Sequence, residues 1–140
     1  MDFIDLLINI TANTNAIIRF IASTLNLTTS QAFHLLLIPY DGIPMSTLAH
    51  KLGLDTSTLT RNIQKLETLK LVTRSADVYD KRIRTVHLTK SGISLLQAFE
   101  DHLKEEGFNI LDQINLDNQE HIFSVLESIS WSLDCLREKK

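Results

Sequence analysis

The chain is poor in the residues that punctuate or staple a fold: one cysteine, two prolines and four glycines in 140 residues. The single thiol, Cys135, excludes an internal disulfide and fits a reducing compartment. Scarce glycine and proline leave few loops, which favours a mostly helical protein. Long apolar runs are missing as well. The opening MDFIDLLINI is apolar, but Asp2 and Asp5 stand where a secretory signal carries bases, and Asn9, Asn13, Asn15 and Arg19 interrupt any span of bilayer length. The expectation is a soluble, cytoplasmic protein without a membrane partner. His34, His50, His87, His102 and His121 are scattered without metal-ligand spacing, and no glycine-rich phosphate loop is present. Neither an enzyme, a metal nor a cofactor is therefore expected.

With 44% hydrophobic residues, the chain can build one domain with a genuine core, and no segment is polar enough to read as disordered. The net charge of -3 conceals an asymmetry. Residues 46–92 carry nine Lys/Arg against four Asp/Glu, whereas residues 93–140 carry four bases and ten acids. Local fields rather than net charge govern binding to a polyanion, so the basic middle needs an explanation. A solvated charged face is the plain alternative.

Apolar positions 3, 6, 7, 10, 17, 18, 21 and 25 predict one long helix from Asp2 to about Leu25. Thr28 and Gln31 form a capping box for a second helix, which should stop before Pro39, with a turn at Asp41-Gly42. Ser46 is expected to cap a short helix ending at Gly53. Asp55 should cap a longer one whose Leu59, Ile63, Leu66 and Leu69 face inward. The β-rich runs at 72–76 and 83–89 predict a hairpin. Thr89 opens a helix that Gly107 should weaken or bend, and Asp117 with Glu120 is expected to box the last helix. There, Ile122, Leu126, Ile129, Leu133 and Leu136 make a heptad-like stripe.

Two helices joined around Gly53-Leu54-Asp55 have the layout of a helix-turn-helix, with small Ala49 permitting a close crossing and Leu48, Leu52, Leu54 and Leu59 closing a core. The outer face of the second helix presents Thr56, Ser57, Thr58, Thr60, Arg61, Gln64 and Lys65, short hydroxyls and long donors suited to base edges and phosphates. Glu67 is the only acid between Asp55 and Asp77. An ordinary surface helix would more often show several Glu–Lys pairs.

A hairpin directly after these helices makes a winged helix-turn-helix, and here the chain resembles the MarR family of transcriptional regulators. The resemblance rests on LTTSQ at 27–31, LAHKLGLDTSTLTR at 48–61, LVTR at 71–74, DKR at 80–82 and LTKSG at 88–92. It implies a mainly α fold with a small β-hairpin: a winged domain at 28–92, a connecting helix at 93–107, and dimerisation helices at 1–27 and 108–140. It further implies that helix 56–70 enters the major groove and that Arg82 reaches the minor groove, whose negative potential attracts a guanidinium. Asp80 would hold Arg82 in a bidentate pose. Lys81 is read as a phosphate contact, and Arg74 and Arg84 complete the candidate DNA-binding set.

Two positions depart from the family pattern. Lys70 stands where glycine usually ends the recognition helix, and Asn62 occupies a commonly apolar spot. The implied partners are double-stranded DNA with a near-palindromic operator, a second copy of the chain, and a small aromatic or anionic ligand. Phe33, His34, Leu37, Phe99 and Trp131 are conceivable ligand-lining residues, with core packing the preferred role for each. Asp134 and Glu138 disfavour a thiolate at Cys135, which is read as structural or incidental. The competing function is a winged-helix protein-interaction module that does not bind DNA.

Overall fold

A computed structural model describes residues 1–139, and its contacts fall into two units, Met1–Leu103 and the segment from Lys104 onward. The first unit opens with α1 (Phe3–Thr24). Asp2 and Asp5 cap it reciprocally, the Asp5 N–H donating to Asp2 Oδ1 at 2.9 Å and the Asp2 N–H to Asp5 Oδ2 at 3.2 Å. These acids thus have a structural use beyond the one read from the sequence. Next, α2 (Thr29–Leu36) starts at the expected Thr28–Gln31 box.

After the turn at Gly42 comes a strand the sequence did not reveal, β1 (Ile43–Pro44), which pairs antiparallel with β3 (Arg84–Leu88). With β2 (Val72–Ala76), the expected hairpin becomes a three-stranded sheet of order β1-β3-β2. Two residues, one of them proline, show no alternation; the proline is tolerated because β1 is an edge strand. β1 runs straight into α3 (Met45–Leu52), so the N-cap is Pro44, with no side-chain cap, and Ser46 lies inside the first turn instead of capping it.

The core gathers Ile18, Ile21 and Ala22 from α1, Leu35 from α2, Leu48 from α3, Leu59, Ile63 and Leu66 from α4 (Thr56–Thr68), and Val72 and Val86 from the sheet. Leu69, expected to face inward, is instead exposed, because the chain leaves the helix at that residue. The following helix, α5 (Lys90–Asp112), adds Leu96 and Phe99 to the buried set. It continues as one helix through Gly107. Its first turn approaches the wing backbone closely: a Cβ on Gly92 would collide with the Leu71 carbonyl.

In the second unit a 3-10 turn (Leu116–Asn118) leads into α6 (Gln119–Glu138). The expected Asp117–Glu120 box is absent. The cap of α6 is Asn118, without a side-chain bond, and Asn115 Oδ1 instead accepts from the Asp117 N–H at 3.2 Å, since the intervening 3-10 turn shifts the helix start past Asp117. No residue of α6 is buried in the single chain; Leu126, Trp131, Leu133 and Leu136 are all exposed. The α1 helix likewise leaves Phe3, Ile4, Leu6, Ile8, Ile10 and Phe20 in contact with solvent. Among the described residues, no helix is long and apolar enough to cross a membrane.

Candidate nucleic-acid interface

The helix-turn-helix is α3, a turn at Gly53-Leu54-Asp55, and α4. Gly53 takes the left-handed conformation at φ 67°, which lets the Leu54 N–H reach back to the Ala49 carbonyl at 2.9 Å. Asp55 then caps α4, accepting from the Thr58 N–H at 2.7 Å. Leu59, Ile63 and Leu66 recur along one side of α4 and are completely buried, which turns the opposite side outward. On that side Thr56, Ser57, Arg61, Gln64 and Lys65 are exposed, with Thr58 and Thr60 half-buried.

The hydroxyls are less free than the sequence suggested. Ser57 Oγ donates to Asp55 Oδ1 at 2.7 Å, Thr58 Oγ1 to Asp55 Oδ2 at 3.1 Å, and Thr60 Oγ1 to the Thr56 carbonyl at 2.8 Å. These groups therefore offer lone pairs and methyls outward, while Thr56, Arg61, Gln64 and Lys65 keep donors for a phosphate. The Thr58 N–H, reinforced by the Ser57 and Thr58 hydroxyls and the field of Arg61, holds the Asp55 carboxyl down at about 2. The cap is thus fully ionised at neutral pH.

The sole acid of α4, Glu67, is not left facing outward. Arg74 on β2 grips it through two bonds, Nε to Oε1 and Nη2 to Oε2, both 2.9 Å. The fork ties α4 to the wing and cancels the one negative charge on that helix. Arg74, counted from the sequence among the candidate DNA-binding residues, is half-buried and paired with Glu67.

At the wing tip the Asp80–Arg82 pair is present in a different form from the expected bidentate one. Asp80 Oδ1 alone accepts both the Arg82 N–H at 3.0 Å and Arg82 Nε at 3.3 Å, leaving the guanidinium Nη atoms outward. Arg82's side chain is 92% exposed, and Lys81 and Arg84 are exposed too. A cleft of about 320 Å³ brings Thr56, Thr60, Arg74, Arg82 and Arg84 around Met45, Ser46 and Ile83, so helix and wing residues distant in sequence share one basic surface.

Two oddities of the sequence resolve here. Lys70 does adopt the left-handed conformation, at φ 60°. Its carbonyl accepts from Thr89 Oγ1 at 2.7 Å, and the Leu71 carbonyl from the Thr89 N–H at 3.0 Å, so the strained turn is pinned from outside. Asn62 pairs with His34, the only buried polar residue among those described: Asn62 Nδ2 lies 3.2 Å from His34 Nε2, and His34 Nδ1 lies 2.6 Å from the Ser30 carbonyl. That places the ring proton on Nδ1 and leaves Nε2 to accept from the amide. Burial lowers the His34 pKa, partly opposed by the Ser30 carbonyl. The residues bound each other's roles, but neither alone signalled the pair, because His34 sits at an apolar-periodic position and Asn62 lies 28 residues away.

Of the conceivable ligand-lining residues, His34 and Phe99 are buried and Phe33 and Leu37 pack against the core, whereas Trp131 is 70% exposed and has no core role in the single chain. Cys135 is half-buried on α6.

Comparison with known proteins agrees with the fold. The sequence model of the MarR family matches residues 27–83. A MarR protein from Peptoclostridium difficile DA00132 superposes with a TM-score of 0.84 at 21% identity, over 99% of this chain and 92% of that one. The transcriptional regulator SlyA gives 0.83 at 19% identity, over 99% and 98%. A DNA complex of MepR from S. aureus gives 0.76 at 23% identity, over 94% and 98%. No curated protein matches by sequence.

Proposed function

We infer from the match of residues 27–83 to the MarR family model, a family of transcriptional regulators and not enzymes, that this chain acts in the cytoplasm as a homodimeric repressor on double-stranded DNA. Helix 56–70, built on α4, lies in the major groove with Arg61, Gln64 and Lys65 as donors, and the wing at 77–84 follows the neighbouring minor groove. One observation carries this reading: the outward face of α4 and the wing tip share one basic surface on which the acids are engaged within the protein. Glu67 is neutralised by Arg74, and Asp80 is occupied in holding Arg82. A nucleic-acid backbone requires that combination, whereas a plain solvated face does not.

Dimerisation draws support from the apolar side chains that α1 and α6 each leave in water, since so much exposed apolar surface is unusual for a monomer. A two-fold dimer would read a near-palindromic site with half-sites about 10 bp apart or a multiple. The basic cleft of about 320 Å³ between helix and wing, with Met45 and Ile83 among its lining, suits a small aromatic or anionic ligand that would compete with DNA.

The test is a gel-shift series against salt, using duplex from the protein's own upstream region. Affinity should fall steeply as salt rises, because phosphate contacts release counterions. Absence of binding at low salt would return the chain to the alternative of a protein-interaction module.

A further inference from the structure

We propose that Tyr79, with Val78 beside it, is a DNA-contacting residue whose ring lies on the deoxyribose wall of the minor groove next to Arg82. The inference rests on the DNA-binding function above and extends it to an uncharged residue.

The turn at the wing tip is built by other side chains. Asp77 Oδ2 accepts from the N–H groups of Tyr79 at 2.9 Å and Asp80 at 3.0 Å. Asp80 Oδ1 accepts from Arg82, and the loop closes through the Asp77 N–H to the Ile83 carbonyl at 2.8 Å and the Ile83 N–H to the Asp80 carbonyl at 3.0 Å. With the geometry supplied by two aspartates, positions 78 and 79 would ordinarily hold glycine, asparagine or serine. They hold a β-branched and an aromatic residue instead, 87% and 97% exposed. Single exposed apolar residues are common. Two adjacent ones on a loop wired at both ends form a surface already arranged for a partner, with little ordering left to lose on binding.

The neighbouring charges identify that partner. Lys81, Arg82 and Arg84 follow the apolar pair on the same wing and are exposed, and the flanking acids, Asp77 and Asp80, are engaged in the loop's own hydrogen bonds. Duplex DNA presents that complement: phosphate rims for the bases, and between them the C–H faces of the sugars for an aromatic ring. A contact of this kind adds affinity without counterion release, so it differs from Arg82 in its response to salt.

The experiment uses duplexes selected by the wild-type protein from a random pool, with affinity followed by fluorescence anisotropy over a range of salt. Tyr79→Ala should weaken binding by about tenfold, as one aromatic face is left uncovered, and its salt dependence should run parallel to wild type. Tyr79→Phe should bind like wild type. Full exposure of the site leaves folding unaffected, which circular dichroism verifies. Unchanged affinity in Tyr79→Ala overturns the inference while leaving the regulator reading intact. So does a salt slope reduced by about one phosphate contact, or a Tyr79→Phe loss equal to that of alanine. If the wild-type protein selects no duplex, the DNA-binding function itself fails, and this inference with it.

Discussion

Replacing Lys70 with glycine should stabilise the protein, although it removes a side chain. Three helices end on the same device, a left-handed residue followed by an N–H that reaches back over six residues. The left-handed positions are Asn26 at φ 57°, Gly53 at φ 67° and Lys70 at φ 60°. The closing bonds are Leu27 N–H to the Ala22 carbonyl at 2.8 Å, Leu54 to Ala49 at 2.9 Å, and Leu71 to Leu66 at 3.0 Å. Glycine adopts this conformation freely, asparagine tolerates it, and lysine bears a strain of about 1–2 kcal/mol from its Cβ. Glycine also loosens the unfolded chain, which returns roughly 0.4–1 kcal/mol. The net gain for Lys70→Gly is therefore about 0.5–1 kcal/mol, or roughly 2–3 °C in Tm for a chain of this size. Thermal and urea unfolding at equal protein concentration measure it, since the proposed dimer would melt at a temperature that depends on concentration. Lys70→Ala keeps the Cβ and should change nothing beyond about 0.3 kcal/mol. Gly53→Ala is the reverse experiment: no atom lies within 4 Å of the added Cβ, so its loss, about 1 kcal/mol, is purely conformational. Destabilisation by Lys70→Gly, or an equal gain from Lys70→Ala, would refute the account.

Other consequences follow from the same contacts. Gly92→Ala drives a Cβ into the Leu71 carbonyl, and should cost about 2–3 kcal/mol in urea unfolding, because backbone on both sides must move. A double-mutant cycle of Glu67→Ala and Arg74→Ala should return a coupling of about 1 kcal/mol, moderated by the partial exposure of the pair. His34 has a folded pKa below its ordinary 6.5, so the unfolded chain takes up the proton first. Stability is then complete above that value and declines as pH falls from 6.5 towards the lowered pKa; His34→Gln should flatten this part of a urea-midpoint profile. Arg82→Ala should weaken operator binding by more than about tenfold while circular dichroism and oligomeric mass stay unchanged, given a side chain that is 92% exposed and bonded to Asp80. Unchanged affinity would remove the wing from the mechanism.

Local signals survived folding wherever the determining atoms are close in sequence. The Thr28–Gln31 box, the Asp55 cap, the left-handed Gly53 and the inward rows Leu59, Ile63 and Leu66 all formed as the pattern dictated, since each depends on neighbours within about a turn or two. The expectations that failed were decided from further away or by a neighbouring turn. Ser46 lost its capping role to a two-residue strand held by Val86 and Thr85, Leu69 turned outward where the chain leaves for the wing, and Asp117 was displaced by a 3-10 turn.

The candidate interface divides the same way. Residue type and spacing alone determined that a basic helix and a basic hairpin tip follow one another, because helical periodicity and β alternation are properties of short windows. Only the tertiary structure decided which charges are available. Glu67 meets Arg74 across helix and strand, Asn62 meets His34 across two helices, and Thr89 steadies the carbonyl of Lys70 from the start of α5. Each of these is a hydrogen bond between groups remote in sequence or on different elements, and such a bond exists only once the hydrophobic core has brought its two ends together.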